Sequence, residues 1–189
     1  MFTSLAYGAK GILWFTYWEE NPAAYQIKGG SIITVVGDGP NEQRVRGPKY
    51  AIAKKINSVV LAFERHLMAG TSIGVWHAVS NATGGSVADQ LQGCPVLADI
   101  SGQINGSYLV GVFEFQDGRL GAMLHNQDPF FNSWPTITFQ PSINASSVYE
   151  VTPTGPGAGT EHIVLDDSPG LPGLQLTILA GAARLLVFS

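Results

Sequence analysis

The hydrophobic period of this chain changes once, near residue 70, and that change limits what it can fold into. Before it, Ile52, Ile56, Val59, Phe63 and Leu67 recur at helical spacing and predict a long amphipathic helix over 48–68. Pro48 suits a first helical turn, and Gly70 can close the last one. After it, the period is two. Segments near 73–79, 96–100, 108–115, 120–126, 136–140, 147–152, 161–165, 174–179 and 183–188 read as short strands between Gly- and Pro-rich turns. Asp117-Gly118 between two such segments is a strong hairpin signal. Many short strands with such turns predict an antiparallel β-sandwich.

The N-terminal part reads differently. Residues 3–10 suit the last turns of a helix that Gly8 ends. Residues 11–18 form an apolar, aromatic run without alternation, which predicts a strand buried on both faces. The expected fold is therefore mainly β: an antiparallel β-sandwich preceded by one buried strand and one long amphipathic helix. The expected division is a strand-loop-helix segment over 1–70 and a sandwich domain over 71–189. Charge follows the same line. Residues 1–66 carry a net +3 and the rest a net −7, within a total of −4.

Composition excludes several classes. Apolar residues make up 45% and charged residues 13%, which is too apolar for a disordered chain. A mildly acidic chain lacks the basic face that nucleic-acid binding needs. The run 11–18 is too short to span a membrane. The first ten residues show no basic segment followed by an apolar core, so no signal peptide is expected and the cytoplasm is the default location. The lone Cys94 cannot form an intrachain disulfide and is expected to be structural. His66, His77, His125 and His162 are scattered without metal-ligand spacing, so no metal and no other cofactor is expected. GxSxG, GxGxxG and GxxxxGK[ST] are all missing.

One stretch resembles a known family. Leu5-Ala6-Tyr7-Gly8-Ala9-Lys10-Gly11-Ile12 followed by Trp14-Phe15-Thr16-Tyr17-Trp18 is similar to the helix end and final barrel strand of (β/α)8 glycoside hydrolases of the bacterial β-galactosidase-like kind. Leu109–Phe113, Met123–Asn126 and Leu176–Phe188 resemble the β-sandwich that follows the barrel in those enzymes. The resemblance implies a carbohydrate partner and, as any activity, hydrolysis of β-linked sugars. An aromatic residue at this strand end often floors a sugar subsite there, which makes Tyr17, Trp18 and Asn21 the expected substrate-binding residues.

The family's two catalytic glutamates sit at the ends of strands four and seven, and neither position has a counterpart here. Glu19 and Glu20 are the local candidates for the pair of carboxylates that glycoside hydrolysis needs. Adjacent residues of an extended chain point to opposite faces, so a loop would have to bring them together. The alternative is a non-catalytic carbohydrate-binding or structural module, with Trp18, Trp76 or Trp134 as aromatic contacts.

Without a barrel, the six large apolar residues of 11–18 lose their cover. At about 1.5–3 kcal/mol each, that amounts to roughly 9–18 kcal/mol, against a domain stability of about 5–15 kcal/mol. Homo-oligomerisation through 11–18 and 48–68 is the expected remedy.

Overall fold

A computed structural model describes residues 1–14, 18–19, 31–37, 39–143, 148–163 and 173–189. It is mainly β. The chain divides into two compact units, Ile12–Leu61 and the remainder, Met1–Gly11 with Ala62–Ser189.

The larger unit is a sandwich. Its strands are β4 (Thr71–Val79), β5 (Leu97–Ser101), β6 (Ser107–Glu114), β7 (Leu120–Asn126), β8 (Thr136–Phe139), β9 (Val148–Val151), β10 (Glu161–Ile163), β11 (Leu174–Gln175) and β12 (Ala183–Phe188). A six-stranded antiparallel sheet runs in the order β10-β9-β12-β7-β6-β4, and a three-stranded antiparallel sheet runs β11-β8-β5. Between them lies the core. Tyr108, Val110, Val112, Leu124, Leu186 and Phe188 of the larger sheet meet Leu97, Ile100, Ile137, Leu174 and Ile178. The Asp117-Gly118 signal forms the β6–β7 hairpin: Gly118 takes a φ of 81°, and Phe115 N–H donates to Arg119 O at 2.9 Å.

The other face of the large sheet is covered as well. Alternate residues Leu109, Phe113, Met123, Leu185 and Val187 are also fully buried, which is why β6 and β7 read as almost continuous burial. Part of this cover is a short helix, α1 (Phe2–Ala6), which buries Phe2, Leu5 and Ala6. It can lie this close because β6 has Gly111 there. A Cβ at that position would stand 2.2 Å from the Ala6 carbonyl oxygen. The chain then turns away at Gly8, whose φ is 94°.

The long helix is α2 (Tyr50–Ala69). Its last two turns belong to the sandwich unit and bury Ala62, Phe63, His66 and Leu67. Lys10 donates to the free carbonyls of Leu67 and Gly70 at its C-terminus, where a cation also suits the helix dipole. His66 Nε2 lies 2.8 Å from Glu161 of β10, and its ring meets Phe115 edge-on. Arg119 donates to the same carboxylate at 2.8 Å. Of the predicted apolar stripe, Phe63 and Leu67 are buried, whereas Ile52 is exposed.

The smaller unit holds β1 (Trp18–Glu19), β2 (Ile33–Val36) and β3 (Gln43–Arg46) in the order β1-β2-β3. β1 pairs with β2 in parallel, Trp18 opposite Ile33 and Glu19 opposite Thr34; β3 pairs with β2 antiparallel. Trp14 Nε1 donates to Asn57 Oδ1 at 3.0 Å, and the Arg46 guanidinium lies 4.7 Å from the centre of the Tyr50 ring.

Residues 11–14 depart from the expected buried strand over 11–18, of which residues 15–17 lie outside the described residues. Residues 11–14 have no regular structure, Leu13 is 93% exposed, and pairing is confined to Trp18–Glu19 among the described residues. A strand buried on both faces needs ladders and cover along its length, and residues 11–14 have neither a ladder nor, at Leu13, cover.

Candidate binding site

Of the expected site residues, Tyr17, Glu20 and Asn21 lie outside the described residues. Trp18 and Glu19 form β1, beside Ile33 and Thr34. Trp76 is a packing residue: its indole lies over Gly74, its Nε1 donates to Gln92 O at 3.1 Å, and it packs on the core. Trp134 is half exposed.

Trp134 belongs to one end of the sandwich, where four segments converge: 80–86, 102–106, 127–135 and 179–182. Main-chain bonds knit them together. Ser80 N–H donates to Gly106 O, Gly102 N–H to Gly84 O and Gly181 N–H to Asp128 O, at 2.8, 2.9 and 2.7 Å. The sequence of the third segment explains its shape. Asp128 precedes Pro129, and its Oδ1 accepts from Phe130 N–H at 2.8 Å and Phe131 N–H at 3.1 Å, an Asx turn. Buried Asn126 accepts from Asp128 N–H at 3.1 Å and donates to Phe131 O at 2.8 Å. Ser133 pairs with Ile178 through two 2.8 Å bonds, and its hydroxyl bonds the Tyr108 phenol. Burial pushes the Tyr108 phenol up, with the Ser133 bond opposing it. Trp134 N–H donates to Gln103 Oε1 at 3.0 Å.

The main chain of this loop is thus fixed, while its large side chains are not covered. Phe130 is 82% exposed, Phe131 71% and Trp134 50%. Ile104, Val79 and Leu179 are exposed at the same end. Exposed apolar side chains gathered at one end are the kind of surface that interaction sites use. Polar groups accompany it: Gln103, Gln127 and Asn132 lie among the aromatics, and Asp128 is the one charged side chain in the four segments.

Three of the described acids, Glu150, Glu161 and Asp117, are each bonded by an arginine. Glu150 is bonded by Arg184, at 2.6 Å between Oε2 and Nη2. Glu161 is burdened by burial, but the His66 and Arg119 bonds outweigh it and hold its carboxyl below the usual range. Asp117 is held down by its bond from Arg119. A general acid needs the opposite shift. Among the described residues no group of three or more His, Cys, Asp or Glu converges as metal ligands would. Burial pushes the Cys94 thiol up, as suits a structural residue. No helix is long and apolar enough to cross a membrane among the described residues.

The smaller unit has an open recess of about 330 Å³, with Trp14, Tyr50, Lys54, Asn57 and Ser58 in its wall. It presents one indole and no carboxylate among these residues, so it offers less aromatic surface than the sandwich end.

Phe130 and Phe131 escape a reading based on period. They sit in a turn-rich segment, and only their sequence Asp128-Pro129-Phe130-Phe131-Asn132-Ser133-Trp134-Pro135 signals them: three aromatics between two prolines in a stretch with no strand or helix period.

Comparison of the chain with protein-family models, with curated proteins and with solved structures finds no match in any of the three.

Proposed function

We propose that this chain is a non-catalytic carbohydrate-binding module and that the sandwich end bearing Phe130, Phe131 and Trp134 is its binding face. One observation carries the reading: three aromatic side chains stay exposed on a loop whose backbone is held by Asp128, Asn126, Ser133 and Gln103. A flat ring supplies apolar area for the C–H face of a pyranose. A loop fixed beforehand loses little entropy when a ligand arrives. The resemblance to the sandwich of glycoside hydrolases supplies the substrate class. The paired or bonded state of Glu150, Glu161 and Asp117 favours binding over hydrolysis.

The test is affinity electrophoresis in gels containing soluble β-linked polysaccharides, with Trp134→Ala and Phe131→Ala beside the native chain. A half-exposed indole offers on the order of 100 Å² of further burial, about 2.5 kcal/mol at about 25 cal/mol per Å². Trp134→Ala should then weaken binding at least about tenfold. Phe131 is 71% exposed, so Phe131→Ala should stay close to the native stability, whereas Trp134→Ala gives up the buried half of its indole; thermal melts of both variants check that each is folded under the conditions of the gel. Retardation that both variants retain would refute this face as the site. Concentration-dependent self-association that Trp134→Ala abolishes, without any retardation, would assign the face to a second copy instead.

A further inference from the structure

We infer that the aromatic end of the sandwich selects uncharged glycan chains and rejects polyuronates; this rests on the carbohydrate-binding reading above. The ground is the charge pattern of the site and its surroundings. The segments 80–86, 102–106, 127–135 and 179–182 contain no Lys, Arg or His. An acidic sugar is ordinarily held by arginine or lysine in charge-assisted bonds; the four segments carry none, and Arg184, two residues beyond them, is engaged by Glu150 and by Thr177 O. The one charge, Asp128, has the sign of a uronate. It is fixed in place because its Oδ1 holds the N–H groups of Phe130 and Phe131, so it stays beside the aromatics. The whole unit formed by Met1–Gly11 and Ala62–Ser189 carries a net charge of −6, which adds a longer-range repulsion of polyanions.

The polar groups left over suit hydroxyl and ring oxygens. The oxygen of Asn132 is fixed by its bond from Ala180 N–H at 3.0 Å, since a backbone N–H can only donate. Its amide nitrogen therefore faces away from that bond and has no protein partner among the described residues. Gln103 likewise accepts from Trp134 N–H through Oε1. The site thus presents aromatic faces, a neutral N–H donor and a fixed negative charge. Sugar hydroxyls accept from such a donor without any charge on the ligand.

The experiment uses one glycan in two charge states: a soluble β-glucan, and the same glucan oxidised at C6 to carboxylates. Affinity electrophoresis of the full chain should show retardation by the neutral glucan that does not change with salt, and little or none by the oxidised one. Asp128→Asn keeps an oxygen acceptor for Phe130 and Phe131 while removing the charge. It should raise the ratio of oxidised- to neutral-glucan affinity about threefold at low salt, the size expected of one nearby like charge in water. Reading the ratio cancels any common effect of the substitution on the loop. Oxidised glucan that retards the native chain as strongly as neutral glucan would overturn the selectivity while leaving the carbohydrate reading in place. An unchanged ratio in Asp128→Asn would overturn the role of Asp128. Retardation by neither glucan would remove the carbohydrate reading itself.

Discussion

Gly111→Ala tests how the outer face of the large sheet is closed. The new Cβ would stand 2.2 Å from Ala6 O and 2.7 Å from both Ala6 C and Ala6 Cα. These are backbone atoms of α1, so no side-chain rotation relieves the clash. Two responses compete. In one, α1 shifts by about 1 Å, with an overpacking cost of about 1–3 kcal/mol. In the other, α1 leaves the sheet, and the burial of Phe2 and Leu5 is lost at about 1.5–3 kcal/mol each. The first is cheaper, so the expected loss is about 1–3 kcal/mol, with the second as its ceiling. The assay is urea unfolding followed by tryptophan fluorescence, run as a double-mutant cycle with a chain lacking residues 1–8. In that shortened chain Gly111→Ala should cost almost nothing, because the atoms it strikes are gone. A full-length Gly111→Ala within about 0.5 kcal/mol of the native chain would refute the seating of α1 on β6.

Four further outcomes follow. Glu161→Gln should lose about 1–3 kcal/mol at pH 7, because Arg119 and His66 lose a shared carboxylate. The folded pKa of Glu161 is below its ordinary value of 4.5, so its contribution is present above that value and fades as the pH falls through the folded pKa; the gap between variant and native chain in pH-dependent denaturation should close in acid. Burial pushes the His125 imidazole below its ordinary 6.5, so the unfolded chain binds the extra proton and stability should fall as pH drops below that value, by at most about 1.4 kcal/mol per unit; His125→Asn, which can still donate to Ala182 O, should flatten that slope in thermal melts. Purified chain should turn over no aryl β-glycoside above a mock preparation, and turnover that Glu19→Gln or Glu20→Gln removes would restore the catalytic reading. For the smaller unit, which leaves Leu13, Ile52 and Leu61 exposed, we propose self-association through 11–18 and 48–68; sedimentation velocity should show it weakened by Leu13→Ser, and a single monomer boundary at every concentration would refute it.

The sandwich was legible because its signals are local. Period-two segments and the Asp117-Gly118 turn predict strands that appear within a few residues of β4 to β12. The helix over 48–68 appears as Tyr50–Ala69 for the same reason. What period cannot show is which faces meet cover. In β6, Leu109, Gly111 and Phe113 face away from the sandwich core, and part of the cover of that face, Ala6 over Gly111, comes from more than a hundred positions earlier in the chain. Residues 11–14 show the opposite failure: the stretch is apolar in sequence, yet it forms no strand and leaves Leu13 exposed. Phe130 and Phe131 were missed because an exposed aromatic in a loop breaks the rule that apolar residues mark the interior.

The proposed binding face rests on that exception. Elsewhere in the sandwich unit several apolar faces are covered: α1 lies on β6, α2 brings Phe63 and Leu67 down, and Trp76 folds onto Gly74. At the 127–135 end the same chain does the reverse. Asn126, Asp128 and Ser133 use their polar atoms to hold the backbone in a shape that keeps Phe130, Phe131 and Trp134 out. Turning Phe131 inward would bury about 1.5–3 kcal/mol of side chain, yet it would break the bond from buried Asn126 to Phe131 O at about 1–3 kcal/mol. The two costs are of the same size. The exposed arrangement is therefore held by specific polar residues, and replacing Asn126 with Leu should release it: Phe131 would become protected from solvent, and polysaccharide binding would fall together with that protection.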